Sequence, residues 1–436
     1  MRNFWIILLL VSSARADNGI PLSQAVKMAT KNHPLLRADR ERINGARFRA
    51  VSLQSQFQPL LSLNAFGVTG RDSAIFPSSI DPINYGHFDS GDAANLNLVL
   101  SWRLPLFGRP GLTQELGSSE RRLAEIALRN RARLITYEVR LAFADSQLKA
   151  ESAQSAQLSL DSAEAILKVA QDKVEAGTLA KVFLLRAKSE LEASKRDLAI
   201  ALADKAKARL SLAASIGLSA GELDGRGFEV GQWDSELHLP ASLTEAIELS
   251  ANHPAILSNS LKISGLRAQL MLNRAAQKPD AYLMAMGDWL GTAQTKGDQS
   301  AKLGLVISFP LSDGGLRSAE VSDALSKVRA AEFEAKDVQN QIETEIGQAW
   351  ADWQSVSAIT RASDAGLEAA NESYMISLLR FQEGKTTLSE VIEARAFLAK
   401  ARLMQAESSA FSRKAWANLW RAIASDDELL SSPKSA

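Results

Sequence analysis

The chain has 436 residues, with 50 Lys and Arg against 50 Asp and Glu, so its formal net charge is zero at pH 7. This balance gives no electrostatic reason to expect a nucleic-acid partner, whose phosphates select strongly basic surfaces. The sequence contains no cysteine, which excludes disulfides, thiolate metal ligands, a cysteine nucleophile and lipid attachment to an N-terminal cysteine.

The N-terminus has the pattern of a secretory signal peptide. Arg2 precedes the apolar run Phe4–Val11, and small residues in an Ala-x-Ala arrangement end at Ala16. We expect cleavage after Ala16, which assigns residues 1–16 to the signal peptide and the mature chain to a compartment outside the cytoplasm. An N-terminal membrane anchor is the alternative, and it is disfavoured because the apolar run is far shorter than the ~18–20 residues that span a bilayer.

The mature sequence repeats its landmarks in the same order. An Asn-His-Pro turn at residues 32–34 recurs at 252–254. Each turn is followed by paired strand-like runs, a very long helical stretch that ends at a glycine, and a second helix, which predicts an elongated, duplicated architecture. The predicted parts are a first repeat at 17–217, a linker at 218–240, a second repeat at 241–425 and a C-terminal tail at 426–436.

A pair of strands is predicted in each repeat. The first pair spans about residues 57–70 and 94–107, and the second spans about 280–290 and 301–311. Leucines alternate with polar side chains in the stronger runs, as in strands with one apolar face. Residues 71–93, between the first two strands, are rich in Ser, Asp, Gly and Pro and are predicted to form a surface loop.

These strands fit a transmembrane β-barrel, although amphipathic hairpins on a soluble core remain open on pattern alone. Four strands cannot close a barrel, and lipid does not tolerate open strand edges. Strands that span a membrane would therefore require several copies of the chain to share one barrel. The aromatic residues available for its two membrane interfaces are Trp102, Tyr282, Trp289 and Phe309.

Two long helical hairpins are predicted, at about residues 112–216 and 315–423, with tips at Gly177 and Gly384. Their first helices lack proline and carry apolar residues at helical spacing. Each first helix would extend for roughly 100 Å at 1.5 Å per residue, and many small residues favour side-by-side packing into a rod or tube. A glycine after each long helix and a nearby threonine fit a C-cap followed by an N-cap.

No residue pattern points to catalysis, to a cofactor or to a metal. The four histidines, at positions 33, 87, 238 and 253, are dispersed, and those at 33 and 253 precede prolines, where packing or capping is expected. The sequence has no His-Glu-x-x-His motif, no phosphate-binding glycine loop with Lys and Ser or Thr, and no Ser-His-Asp grouping. An enzyme is therefore not expected.

Three kinds of landmark occur in a fixed order: the Leu-to-Pro segments 22–34 and 243–254, the strand exit Ser308–Arg317, and the two glycine-tipped hairpins. This ordered set resembles the TolC-like outer-membrane efflux family over nearly the whole mature chain. The resemblance implies a mixed α/β membrane protein that forms a homotrimer. Each chain would give four strands to one 12-stranded outer-membrane β-barrel and four helices to a long periplasmic α-helical barrel.

The function implied by the resemblance is a passive outer-membrane conduit of a tripartite efflux or type I secretion system in a Gram-negative bacterium. The implied partners are outer-membrane lipid, a periplasmic adaptor and an inner-membrane RND or ABC transporter. An alternative from a different class is a soluble periplasmic coiled-coil adaptor or scaffold. The hairpin tips that would dock the adaptor comprise Ala176, Gly177, Thr178, Leu179, Glu383, Gly384, Lys385 and Thr386.

The family pattern places acidic residues shortly after the second tip glycine, where they face the lumen. Here these are Glu390 and Glu393, which share one helical face, and three copies would crowd six carboxylates into a constriction that attracts cations. Ordinary solvated helix residues are the alternative. Phe381 matches an aromatic position and would contribute to the gate by packing. Phe183 replaces the corresponding acid of the first hairpin and Thr386 replaces a gate arginine, so an apolar contact is expected instead of a polar lock.

Overall fold

The computed structural model describes residues 19–68, 93–219, 229–234, 240–292, 295–309 and 311–424. The predicted signal peptide, almost all of the predicted surface loop, much of the linker and the C-terminal tail lie outside the described residues. Within the described part, helices predominate and four strands form one sheet, which is the mixed α/β composition expected from the sequence. No helix in the described ranges is both long enough and apolar enough to cross a membrane.

The described elements alternate between helices and strands in an order that occurs twice. The bounds are α1 Leu22–Asn32, α2 Pro34–Ser55, β1 Leu60–Val68, β2 Ala93–Arg103, α3 Arg109–Glu175, α4 Lys181–Ile216, α5 Leu243–Leu249, α6 Pro254–Ala276, β3 Asp280–Thr292, β4 Thr295–Ser308, α7 Leu316–Gln382 and α8 Leu388–Ile423. Both long helices, α3 and α7, contain 67 residues, and both helices that follow them, α4 and α8, contain 36. A 3₁₀ turn at Ser250–Asn252 joins α5 to α6.

Two strand boundaries differ from the predicted ones by at least four residues. β4 begins at Thr295, six residues before the predicted start, because pairing with β3 extends through polar residues that carry no alternating apolar signal. β2 ends at Arg103 and not at 107. The chain leaves the sheet there through Phe107 and Gly108, whose φ angles of 56° and 71° turn the backbone into α3.

The chain forms two compact units. One combines the segment up to Ala38 with Leu128–Pro254 and the segment from Gln339 onward, and it contains both hairpin tips. The other combines Asp39–Ala127 with Ala255–Val338, and it contains the whole sheet. Each long helix contributes residues to both units.

The sheet is antiparallel with the strand order β1-β2-β3-β4. Its register places apolar side chains from all four strands on one face, and most of them are exposed: Leu303 is 77% accessible and Leu63 is 63%. Such a continuous apolar surface is unusual for a protein surrounded only by water. The apolar face comprises Leu61, Leu63, Leu96, Leu98, Leu100, Trp102, Leu283, Ala285, Trp289, Leu303, Leu305 and Ile307.

A row of polar side chains crosses the opposite face of the sheet. Asn64, Asn97, Asp288 and Ser300 stand opposite one another on the four successive strands. Asn97 donates a hydrogen bond from its amide to the Asp288 carboxylate, and the Ser300 hydroxyl donates to the same carboxylate at 3.2 Å. The Nζ atom of Lys302 lies 4.0 Å from Asp288 Oδ2. This face therefore combines polar and apolar side chains, with Val99, Met284, Met286 and Val306 among the latter, whereas the first face is almost entirely apolar.

A buried arginine joins the start of α3 to the start of β3. Arg109 is 3% exposed and forms an ion pair with Asp280, and its Nη2 also donates to the carbonyl oxygens of Ala275 at 2.6 Å and Lys278 at 3.1 Å. Arg103 pairs with the same carboxylate at 2.9 Å. Because charge-assisted bonds to a buried guanidinium are strong, this cluster fixes the point where the sheet meets the helices.

The unit that contains the tips has an aromatic core built around Arg140, which is fully buried. The guanidinium carbon of Arg140 lies 4.0 Å from the ring centroid of Trp420 and 4.7 Å from that of Trp416, both on α8. Trp233 packs edge-on against Trp416, with centroids 5.7 Å apart. Cation–π contacts of this kind help to hold α3 to α8.

Candidate functional site

The two hairpin tips, centred on Gly177 and Gly384, have the same backbone geometry. Their φ angles are 74° and 76°, in the left-handed region that favours glycine. In the first tip the N–H of Thr178 donates to the Lys173 carbonyl at 2.9 Å, and in the second the N–H of Lys385 donates to the Arg380 carbonyl at 2.8 Å. Together with the glycine N–H bonds, these contacts form a Schellman C-cap at the end of each long helix.

The two tips pack together on one apolar cluster, which we call the tip core. Its buried members are Ile166, Ala170, Ala187, Ala370, Tyr374, Phe381, Leu388, Val391, Ile392, Leu398 and Ala401. Phe381 is only 3% exposed, and the Nζ atom of Lys173 lies 5.1 Å from its ring centroid. Lys173 also donates to the carbonyl oxygen of Gln382 at 3.2 Å, which ties the first tip to the second.

The two predicted gate carboxylates, Glu390 and Glu393, are both exposed on the first turns of α8. Thr387 is the N-cap of this helix, and its hydroxyl accepts a hydrogen bond from the N–H of Glu390 at 3.3 Å. The hydroxyl of Thr386 donates to the Glu390 carboxylate. Glu390 thus takes part in capping, and its negative charge is favourable at a helix N-terminus.

The first tip carries different side chains at the matching positions. Its N-cap, Ala180, offers no side-chain hydrogen bond to the helix. Phe183, which stands where Glu390 stands in the second tip, is half-buried and packs against the tip core. The contact of Phe183 is therefore apolar.

A buried polar contact near the tips was missed by the sequence analysis. Arg395 on α8 is 8% exposed, and its guanidinium donates to Glu190 at 3.0 Å, to the Ser194 hydroxyl at 2.9 Å and to the Ser159 carbonyl at 3.1 Å. It joins α8 to both α3 and α4. Its position offered a signal, because it follows Leu388 and Val391 and precedes Leu398 at the 3–4 spacing of a buried stripe.

The predicted aromatic girdle divides between the two faces of the sheet. Trp102 and Trp289 lie on the apolar face, and Trp102 donates its indole N–H to the Phe57 carbonyl at 3.0 Å. Tyr282 pairs with Arg103 and Val306 on the opposite face, which corrects its grouping with the tryptophans. Phe309 follows the last residue of β4 and is 54% exposed.

The histidines of the two Asn-His-Pro turns have different surroundings. The Nδ1 atom of His33 accepts a hydrogen bond from the N–H of Leu35 at 3.2 Å, at the start of α2. Burial lowers the pKa of His253 from 6.5 to about 4, with smaller contributions from the positive charges of Arg133 and Arg421. His253 is therefore neutral at neutral pH. Across the described ranges, no three His, Asp or Glu side chains are arranged to hold a metal ion.

Comparison of the sequence with known proteins finds outer membrane efflux proteins. A sequence model described as outer membrane efflux protein matches residues 25–218 and 247–425. The chain is 26% identical to the outer membrane efflux protein BepC of Brucella suis over 176 residues. This alignment covers 39% of the chain and 39% of BepC. The chain thus spans about 40% of the length of the curated relatives it matches.

Solved outer-membrane channels have the same fold. The chain aligns with the Campylobacter jejuni CmeC channel at a TM-score of 0.81 and 17% identity, over 93% of this chain and 85% of CmeC. It aligns with VceC of Vibrio cholerae at a TM-score of 0.78 and 17% identity, over 92% of this chain and 95% of VceC. At these identities the similarity establishes the fold.

Proposed function

Because the chain belongs to the outer membrane efflux protein family, we propose that it forms the outer-membrane channel of a tripartite efflux or type I secretion system. Family membership places it in the outer membrane, with its helical part in the periplasm, and rules out the alternative of a soluble periplasmic adaptor. Its relatives are channel proteins, and we propose no catalytic residues and no enzymatic activity. The observation that carries the proposal is the sheet, with one exposed apolar face and two open edges.

The length of the apolar face along its strands is compatible with the thickness of a membrane. Trp289 stands level with Gln299 on β4, and Phe309 lies ten residues farther along the same strand direction. Ten residues cover about 33 Å along a strand, or about 25 Å along the normal of a membrane for a strand tilted by about 40°. This is the height of the lipid-facing band of outer-membrane barrels. Trp289 and Phe309 are proposed to lie at its two interfaces, with Trp102 near the helix-side interface.

The open edges of the sheet require other chains. β1 and β4 each have a neighbour on one side only within the described sheet, and their free backbone groups cannot be left unpaired in lipid. We propose that three copies join β4 of one chain to β1 of the next, which gives one twelve-stranded barrel. The chain itself would be a duplication, since its two halves contain helices of 67 and 36 residues in the same order.

The polar row on the other face suits the lumen of such a barrel. With the apolar face in lipid, Asn64, Asn97, Asp288 and Ser300 would face water, as alternation in a membrane barrel requires. In the unit that contains the tips, the exposed apolar residues of α4, Val182, Leu185 and Ile200, would pack against helices of a neighbouring copy. Burial of such side chains stabilises association by about 25 cal/mol per Å² of apolar surface.

We place the inner aperture of the channel at the tips. Glu390 and Glu393 are exposed there and would ring the opening, while Phe381 would support it from the tip core. The two glycine tips, residues 176–179 and 383–386, would dock a periplasmic adaptor, which connects the channel to an RND or ABC transporter of the inner membrane. Three copies would bring six carboxylates to one constriction, and such rings favour cations.

Single-channel recording in planar bilayers tests this proposal. The purified protein should conduct with a preference for cations, and Glu390→Gln with Glu393→Gln should reduce that preference. The matched control is Asp161→Asn with Glu164→Gln, which removes two exposed charges at the same spacing from α3. If the gate variant and the parent had equal cation selectivity, Glu390 and Glu393 would not line the aperture. An absence of conductance would contradict the proposal that the protein is a channel.

A further inference from the structure

A cavity of about 770 Å³ opens beside the helix-side end of the sheet. It lies between the turn that leads from β2 into α3, the end of α6 and the start of α7. Its apolar wall is formed by Phe107, Leu112, Met271 and Val321. The volume falls within the range of small-molecule sites, and the residues that line it all belong to the unit that contains the sheet.

The polar side of the cavity is positively charged. Arg274 and Lys278 line it and are exposed, and no lining residue in the described part of the chain is acidic. The carboxylate nearest in sequence, Asp280, is already paired with Arg103 and Arg109. Lys278 places its Nζ atom 5.1 Å from the ring centroid of Phe107. Two cations above an apolar wall complement an anion that carries a hydrocarbon tail.

The position of the cavity suits a membrane interface. Lys278 lies two residues before β3, and Phe107 lies four residues after β2. β2 and β3 are the two central strands of the sheet, so copies that join at the β1 and β4 edges meet away from this pair of strands. If the apolar face spans the membrane, the cavity stands at the level of the lipid headgroups, next to the interface proposed for Trp102.

We propose that this cavity binds an anionic phospholipid of the membrane leaflet nearest the helices, with the headgroup phosphate between Arg274 and Lys278. The glycerol end and the first part of an acyl chain lie on Phe107, Leu112 and Met271. Basic pockets at membrane interfaces bind anionic headgroups in this way. The inference rests on the proposed function, because it needs the sheet to lie in the membrane.

Native mass spectrometry of the detergent-purified protein, titrated with phosphatidylglycerol, tests the site. Arg274→Gln with Lys278→Gln should bind the lipid about thirtyfold more weakly than the parent, since each cation near an anionic headgroup contributes about a fivefold gain in affinity. The matched control is Lys188→Gln with Lys205→Gln, which removes the same charge from exposed positions on α4. Equal loss in the control, or no loss in the site variant, overturns the proposal.

A second variant tests the cavity with its charges intact. Gly111 lines the cavity, and a Cβ atom there would meet nothing within 4 Å. Gly111→Phe should therefore fill the space, leave α3 intact and weaken lipid binding, so unchanged binding counts against the site. Inorganic phosphate at millimolar concentration should not displace the lipid; displacement would identify a general anion site instead. Copy number and conductance are recorded on the same samples. A protein that forms trimers and conducts but does not bind lipid at this site would contradict the lipid site alone, whereas a protein that does not conduct would contradict the proposed channel.

Discussion

The two hairpin tips share a backbone and differ in their side chains. Both end a 67-residue helix with a glycine at φ near 75° and both are followed by a 36-residue helix. The helix after the second tip nevertheless buries sixteen residues, whereas the helix after the first buries five. The side-chain N-cap of Thr387, the exposed glutamates and the buried arginine all belong to the second tip. Two hairpins with the same backbone can therefore have different roles, and the gate is proposed for the second one alone.

The largest effect is expected at Arg395. Arg395→Met removes the donors to Glu190, Ser194 and the Ser159 carbonyl, and loss of one partner of a buried ion pair should cost about 2–3 kcal/mol because Glu190 is partly exposed. The matching position of the first tip, eleven residues after its glycine, is the exposed Lys188. Lys188→Met should change the free energy of unfolding by less than about 0.5 kcal/mol. Chemical denaturation measures both changes in the free energy of unfolding. Similar losses of stability in the two variants would show that the two tips do not differ at this position.

The glycines test what the tips have in common. Gly177→Ala and Gly384→Ala should each destabilise the protein by about 1–2 kcal/mol, because alanine is strained at a left-handed φ. Nothing lies within 4 Å of a Cβ at either position, so the cost is conformational. Gly366→Ala, inside α7, should instead stabilise by about 0.5–1 kcal/mol. Thermal unfolding of the three variants checks the signs, and unequal losses at the two tips would show that their backbones are not equivalent.

A smaller effect is expected from the N-caps. Thr387→Ala should cost about 1 kcal/mol, because the N–H of Glu390 loses its hydroxyl partner. Ala180 has the extended φ and ψ of an N-cap, −74° and 145°, but no side-chain acceptor. Ala180→Thr should therefore stabilise the first tip by about 0.5–1 kcal/mol. A loss of stability in Ala180→Thr would contradict the equivalence of the two caps.

The Asn-His-Pro turns extend the comparison to pH. At pH above 6.5, His253 is neutral in both the folded and the unfolded chain. As the pH falls from 6.5 to about 4, the unfolded chain gains a proton that the folded chain does not bind, so stability falls across this window. His253→Asn should flatten the dependence of the unfolding free energy on pH between these values. An unchanged slope in the variant would show that another group controls acid stability.

Sequence patterns predict the strands and the two tips, but they do not predict most of the differences between the tips. Alternation predicted the strands because Leu96, Leu98 and Leu100 must share a face, and glycine position predicted both tips. The start of β4 was missed, since its pairing with β3 needs no apolar alternation. Tyr282 was grouped with Trp289, although residues seven apart on one strand face opposite sides. That separation was readable from the sequence.

The candidate site was predictable only in part. The resemblance to the efflux family implied Glu390 and Glu393; both are exposed, and their place at an aperture stays a prediction. Arg395 was missed because charged residues are ordinarily assigned to solvent, and its partners on α3 and α4 are more than 200 residues away in the chain. Only the packing of the helices brings these groups together. The same reason applies to Arg140, whose stack depends on two tryptophans of α8.

Copies of the chain should close their open sheet edges on one another. The natural absence of cysteine allows a clean test by cross-linking in the outer membrane. A single cysteine is placed on β1, at Leu61 or Leu63, and a second on β4, at Leu303, Leu305 or Ile307, in all six pairings. At least one pairing should give covalent dimers and trimers and nothing larger. An absence of cross-links in all six pairings, or a ladder that continues beyond three chains, would contradict it.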